Sequence, residues 1–396
     1  MKGLIENLKT WLSRAFNTSV LVKSRMEWVD YLKGIIIILV VNKHVYAGLE
    51  VSGIPVPEMI KKANMVFFSF RMPLFFILSG LFVSSSFGKR GMNKFLSIKF
   101  ENLIYPYLIW SVIEITLQVM FSGVANAHRS YKDYLHILYN PHVLDHFWYL
   151  PALFNTTIIY ILLKTKLHLK TWMQLALGFV LYFSAQYVED ISILSDWMTY
   201  YLCFAIGDAC STLFFQESTQ RLLKKPAVLL GIITLFVFTQ IYYLNHPETF
   251  HLLGAVTNLG KLQLVGIALV GSLGMFALAF QLQERKIFRF LRVIGFHSLY
   301  IYVMHVMVAA ATRIALARIF GIENAYLLLV VGTITGVTIP IIAYNLLIKD
   351  NVLSFLFSYS KNKTMRLKAE PAINPEVSTV KKISMNPVND VKNICE

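Results

Sequence analysis

Hydrophobic residues gather in ten long runs separated by short polar breaks. The runs cover residues 31–49, 65–86, 102–122, 146–164, 171–188, 197–215, 226–244, 260–281, 297–317 and 326–348. At about 1.5 Å per residue, each predicts a helix long enough, or nearly so, to cross a bilayer. The fifth run is diluted by Ser184, Gln186 and Tyr187, and the ninth is polar enough to read as buried inside a bundle. Ahead of the first run, Leu4, Ile5, Leu8, Trp11, Leu12, Ala15 and Phe16 recur at helical spacing. They predict a short interfacial helix on the cytoplasmic leaflet, the alternative being an unstructured basic lead-in. Residues 1–30 hold no apolar stretch long enough for a signal peptide. Residues 349–396 are polar, carry three prolines and keep no period, which predicts a mostly disordered cytoplasmic extension. The expected architecture is an all-α polytopic transmembrane bundle of about ten helices, with residues 31–348 as its membrane domain.

Composition agrees. Hydrophobic residues make up 56% of the chain and charged residues 15%, against roughly 25% charged in soluble domains. The net charge of +15 would suggest nucleic acid in a soluble protein, but here it follows the loops. With the N-terminus inside, 27 Lys and Arg fall in inward segments. Only Lys61, Lys62, Arg129, Lys132, Lys261 and Arg318 fall in outward ones. The alternation obeys the positive-inside rule for an even number of spans with both termini cytoplasmic, and it makes nucleic acid an unneeded partner. Cys203, Cys210 and Cys395 lack metal-ligand or redox spacing. His128, His136 and His142 in the loop 123–145 are scattered, which reads as loop surface and not as a metal site.

Ionisable residues inside the runs change the picture, because a charge at mid-bilayer costs a few kcal/mol and normally faces a bundle interior or a wet cavity. They are Lys33, Lys43, His44, Arg71, Glu114, Asp208 and His305; Arg313 lies near a helix end and can snorkel. Eleven steps of about 100° return to within about 20° of the same face, so Lys33 and His44 share one stripe, about 16 Å apart. Asp30 lies near that stripe, where it can pair with Lys33. Lys43 falls on a neighbouring face, near enough to the outer interface to snorkel. Counting from the outer ends, His44, Arg71 and Glu114 lie at roughly 8, 9 and 12 Å depth, so they can face one another. Asp208 has no evident partner. Other features are softer. Ser79-Gly80 reads first as close helix packing. His146, Trp148 and Tyr149 in HFWYLP read either as an aromatic belt or as a sugar-stacking platform. Tyr302 and His305 share a helix face, for packing or for function.

Five stretches, EWVDYLKGIIIILVVNKH, FSFRMPLFFILSGLF, KFENLIYPYLIW, HFWYLPALF and GFHSLYIYVMH, occur in that order. Together they resemble the integral-membrane acyltransferase-3 family over about residues 25–348, most closely its fucose 4-O-acetylase-like branch of bacterial saccharide O-acetyltransferases. The family hallmark is a basic residue, ten intervening residues and a histidine in the first helix. Many members use arginine where this chain has Lys33, which lacks arginine's bidentate fork. The resemblance implies a ten-helix bundle in a bacterial inner membrane with no bound cofactor. It implies transfer of an acyl group, acetyl by default and succinyl as an alternative, from cytoplasmic acyl-CoA to a sugar hydroxyl of a lipid-linked or exported glycan. On that basis His44 is expected to act as base or to be acylated itself. Lys33 and Asp30 would organise the cytoplasmic mouth, and Lys94 and Lys99 would meet the CoA phosphates. Arg71 would hold the oxyanion or the acceptor, with Glu114 orienting it. Ser79, His146, Trp148, Tyr302 and His305 complete the expected substrate-binding set. The competing reading is an exporter of a glycan or its lipid-linked unit; it predicts matched half-repeats and paired broken helices, which the sequence does not display. A non-catalytic scaffold would not need His44 and Arg71 at one depth.

Overall fold

The computed structural model describes residues 2–22, 26–122, 129–246, 249–251, 254–255 and 257–359. His128 and the tail beyond residue 359 lie outside the described residues. The chain is an all-α bundle that opens with α1 (Lys2–Phe16), α2 (Glu27–Val51), α3 (Glu58–Gly88), α4 (Met92–Lys99) and α5 (Tyr105–Met120). After the short α6 (His136–Tyr139) come α7 (Tyr149–Thr165), α8 (Thr171–Ser184), α9 (Ser192–Phe214), α10 (Glu217–Leu223) and α11 (Pro226–Asn245). The last are α12 (Asn258–Arg285), α13 (Phe290–Phe296), α14 (Ser298–Ile314) and α15 (Ala325–Ala343). A two-residue antiparallel hairpin pairs Phe250 with Ala255 between α11 and α12.

Each of the ten predicted runs forms a helix, but the helices differ in reach. Seven are long and apolar enough to cross a bilayer, and α9 with α10 makes an eighth when that pair, bent by 103°, counts as one span. The other two are shorter. Residues 146–148 lie in turns ahead of α7, whose 17 residues give about 25 Å. The 14-residue α8 passes into a 3-10 turn at Ala185–Val188, in the polar stretch that dilutes this run. The third span is continuous from Met92 to Met120, because a π-helical turn at Phe100–Ile104 precedes Pro106. Wider winding there accommodates a proline that has no N–H and crowds the preceding turn.

Close packing comes from glycine at two helix crossings. Gly80 of α3 faces the backbone of Phe204 and Asp208 on α9, and Gly207 of α9 faces the carbonyl of Ile77. Gly34 of α2 and Gly295 of α13 do the same, against Leu291 and Asp30 respectively. A Cβ at any of these four would overlap main chain, so backbones approach as only small residues permit. Trp28, at the start of α2, contacts Phe82, Phe214, Phe215, Phe276 and Phe280, joining four helices' worth of aromatic surface at that end. Its backbone N–H donates to Gln283 Oε1 at 2.9 Å.

Asp208, without a partner in the sequence reading, has three. Lys164 Nζ sits 2.5 Å from its Oδ2, Tyr160 donates to the same oxygen at 2.7 Å, and Ser84 donates to Oδ1 at 2.5 Å. This network ties α3, α7 and α9 together. The helix predicted ahead of the first run exists as α1, with Leu8, Trp11 and Leu12 exposed and Ala15 fully buried. Asn345 Nδ2 donates to the Ala15 carbonyl at 3.0 Å and fixes the end of α1 to the bundle. The first residues of the predicted disordered extension, 349–359, are instead folded. Residues up to 359 pack on α5, where Trp110 Nε1 donates to Leu356 O at 3.1 Å and Tyr105 donates to Phe355 O at 2.6 Å. Apolar Phe357, buried against Trp110, interrupts the polar tail and explains this.

Candidate active site

Two helices and one helix approach converge near the Val51 end of α2. His44 comes from α2, His305 from α14, and His146 from the turns that lead into α7. Their ring centroids form a triangle of 5.1 Å (His44–His305), 5.7 Å (His44–His146) and 4.8 Å (His146–His305). His305 is fully buried and His146 is 1% exposed, whereas His44 is only half-buried. The accessible ring is therefore the one on the Lys33 stripe.

Hydrogen bonds fix how the buried rings present themselves. His305 Nδ1 lies 2.7 Å from the Tyr302 carbonyl and 3.1 Å from that of Ile301. A carbonyl only accepts, so Nδ1 carries the proton and Nε2 keeps its lone pair, with no hydrogen-bond partner. The Tyr302 hydroxyl donates to the backbone carbonyl of His146 and so locks α14 to the start of α7. Neither ring nitrogen of His146 has a hydrogen-bond partner, and its Nε2 is 4.0 Å from Glu114 Oε2.

Glu114 thus stands with the imidazoles and not with Arg71. Its Oε1 accepts from Gln118 Nε2 at 3.1 Å, and Gln118 Oε1 accepts from Arg129 Nε at 3.0 Å. Arg129 also pairs with Asp145 at 3.3 Å, next in sequence to His146. Asp145 holds φ 57°, ψ −97°, a backbone conformation that non-glycine residues rarely adopt. In the same loop the backbone N–H of Ser130, with help from its hydroxyl, holds the Asp133 carboxyl below the usual carboxylate range.

The expected pairing of Glu114 with Arg71 is corrected: Arg71 is 5% exposed and its Nη1 donates to the Leu39 carbonyl at 3.3 Å. A carboxylate at matching depth on another helix pointed elsewhere, because α5 packs beside α14 and away from α3 at this level. The Arg71 charge still acts on both His44 and Lys43. Lys43 is the residue that sequence reasoning set aside as a snorkelling side chain. In the fold it lies half-buried, within electrostatic reach of His44, His146, His305 and Arg71. The Lys43 charge therefore acts on all three imidazoles and that of Arg71 on His44. Among the described residues, no group of His, Cys, Asp or Glu is arranged to hold a metal ion.

An aromatic stack approaches this centre. His142 lies flat on Trp148 (4.8 Å, 11°), Trp148 on Tyr200 (5.5 Å, 24°) and Tyr200 on Phe76 (4.6 Å, 10°). His142 Nδ1 is held 2.8 Å from Asp196. Trp148 remains partly exposed, so the stack has an accessible face. Ser79 is engaged by Tyr149, which packs against Tyr302.

The remaining expected residues collect nearer the other end of α2. Asp30 is 1% exposed, one turn before Lys33. The Lys33 charge acts on Lys99, as does that of Arg90, and Lys99 lies 5.5 Å over the Phe95 ring. Lys94 is exposed on α4 and joins neither group. The chain thus carries a basic cluster and an imidazole cluster joined by one face of α2, about 16 Å apart by helical rise. A cationic cluster and a group of proton acceptors set along one helix suit transfer of a group from an anionic carrier to a hydroxyl.

The family model described as an acyltransferase domain matches residues 26–345, which hold every residue of both clusters. No curated protein and no solved structure matches the chain. With most of the chain covered by that match, and with long apolar helices around the site, the protein belongs to the acyltransferase 3 family and is a multi-pass membrane acyltransferase.

Proposed function

We propose that the acyl donor is cytoplasmic acyl-CoA, with acetyl as the group transferred, and that the acceptor is a sugar hydroxyl of a cell-surface or exported glycan. The setting is a bacterial inner membrane crossed ten times, with both termini cytoplasmic. The observation that carries this reading is the half-buried His44 between two buried imidazoles, with Arg71 and Lys43 in electrostatic reach. In the direct route, His44 takes the proton of the acceptor hydroxyl while its oxygen attacks the thioester carbonyl carbon. Arg71 and Lys43 stabilise the oxyanion as it forms. The C–S bond then breaks, and the thiolate takes the proton from the His44 imidazolium. In the stepwise route, a His44 ring nitrogen attacks the thioester carbonyl carbon, the C–S bond breaks and CoA leaves as the thiol with the imidazole N–H proton; the acceptor hydroxyl then attacks the acyl carbon, the C–N bond breaks and the hydroxyl proton returns to the imidazole. His146 and Glu114 extend a proton path behind His44 in either case. Trp148, with its accessible face, is the natural platform for a sugar ring. The likeness to the fucose 4-O-acetylase branch belongs to this proposal and rests on the five ordered stretches.

Mass spectrometry of surface glycans tests it in three strains: gene deleted, complemented, and complemented with His44→Ala, with membrane insertion of the variant checked by immunoblot. The expected result is loss of an ester-linked acyl mass in the deletion and the variant. A glycan that keeps its modification in the deletion strain contradicts the acceptor assignment.

A further inference from the structure

At the far end of α2 from the imidazoles, Glu27, Tyr31, Lys286, Arg289 and Arg292 line a cavity of about 230 Å³. Glu27 precedes His44 by about 25 Å of helical rise, so this cavity is separate from the transfer centre. Three of its five lining residues are cations. Arg292 is 2% exposed. Its Nη1 pairs with Glu27 Oε1 at 2.9 Å and reaches the Leu21 carbonyl at 3.5 Å. Its Nε and Nη2 have no hydrogen-bond partner.

That pair of atoms is the side-on edge of the guanidinium, the edge that grips a carboxylate or phosphate through two parallel bonds. Leaving both N–H groups of a buried cation unsatisfied is costly, and such groups call for a ligand or other partner. The arginine is held in position from two sides, by its ion pair with Glu27 and by the glycine-mediated contact of α13 with α2. Glu27 is the only acid in the lining and is already engaged. The Tyr31 hydroxyl donates to Ile287 O at 2.9 Å, which leaves the cations as the donors for an occupant. Lys286 and Arg289 are exposed at the rim, where they attract multiple negative charge.

We propose that this cavity binds a phosphoryl group, gripped by Arg292 Nε and Nη2 and bordered by Lys286 and Arg289. Resting on the reading above, the group is a phosphate of acyl-CoA, anchored while the thioester arm extends past Lys33. The headgroup phosphate of an anionic lipid offers the same chemistry. Lys94 and Lys99 are then not the main phosphate contacts.

The test uses the full-length protein in phosphatidylcholine nanodiscs. Calorimetry measures binding of CoA, of pantetheine, which lacks the nucleotide and its phosphates, and of inorganic pyrophosphate. Variants are Arg289→Gln and Lys286→Gln at the exposed rim, Arg292→Leu, and Arg292→Lys, which keeps charge but loses the fork. The expected result is CoA binding weakened about tenfold by each rim change and more than tenfold by either Arg292 variant, with pantetheine binding unmoved. If wild type binds pyrophosphate with the same variant dependence but no CoA, the phosphoryl site stands and the acyl-CoA assignment fails. If CoA binding ignores the variants but phosphatidylglycerol raises the unfolding temperature only of wild type, the phosphate is a lipid's. Affinities for CoA, pyrophosphate and phosphatidylglycerol that are all unchanged across folded variants overturn the proposal.

Discussion

At the scale of single residues, the account turns on a few side chains whose neighbours decide what they do. His44 is the accessible member of a three-histidine cluster, and Lys43 and Arg71 are its nearby cations. Removing a preorganised positive charge from an oxyanion site typically costs about 10²–10³ in kcat. Arg71→Leu is therefore expected to lower kcat by about that factor, measured as CoA thiol release in nanodiscs, with acceptor KM changed far less. Lys43→Met is expected to act in the same direction, and a Lys43→Met rate equal to wild type would return that lysine to an interfacial anchor. The stripe from Lys33 to His44 was legible because helical rise and the angle per residue fix relative position within one helix. Lys43 was not, since one residue's rotation set it on another face by count, while neighbouring helices brought cations and imidazoles round to meet it. Glu114 shows the complementary error. Its depth was readable from sequence, but its partner depended on which helix packed beside α5, and that information is tertiary.

At the scale of elements, small residues and buried ion pairs set the positions of the helices. Gly80 and Gly207 let α3 and α9 touch along their backbones, and the Asp208 network pins α7 to the same pair. Breaking a buried ion pair by removing one partner costs about 3–5 kcal/mol, and Lys164 is part-exposed, so the lower end applies here. Asp208→Ala is expected to destabilise the purified protein by about 3 kcal/mol, seen as a lower urea midpoint in mixed micelles. The double variant Asp208→Leu, Lys164→Met is expected to recover much of that loss, and failure to recover it would assign Asp208 a role beyond structure. Helix existence was legible from ten apolar runs, since burial in lipid demands long unbroken helices. Helix ends were less so. The π-turn before Pro106, the bend between α9 and α10 and the short α7 arise from local backbone choices that hydropathy averages away, whereas α8 ends in the stretch that its polar residues already dilute.

At the scale of the whole molecule, the proposed acyl transfer accounts for the separation between the basic cluster and the imidazole cluster. The exporter reading loses its force once the family match covers residues 26–345. The orientation proposed above makes a further prediction. Single cysteines introduced at Lys89, His168, Lys225 and Lys286 should be labelled only from the cytoplasmic side, and cysteines at Ser52, Tyr131 and Gly321 only from outside. Residue 168 labelling from outside would remove the paired α7–α8 crossing and reduce the number of spans. The interfacial placement of α1 belongs to the same frame, as Leu8, Trp11 and Leu12 face away from the bundle.

The most direct measurement is acyl-CoA turnover by purified wild-type and His44→Ala protein in nanodiscs, using acetyl-CoA with the acetyl group radiolabelled. The account predicts a loss of at least about a hundredfold in CoA thiol release for a variant that inserts and elutes like wild type. A folded His44→Ala protein that releases CoA at the wild-type rate would contradict the central claim that this histidine is where the acyl group is transferred.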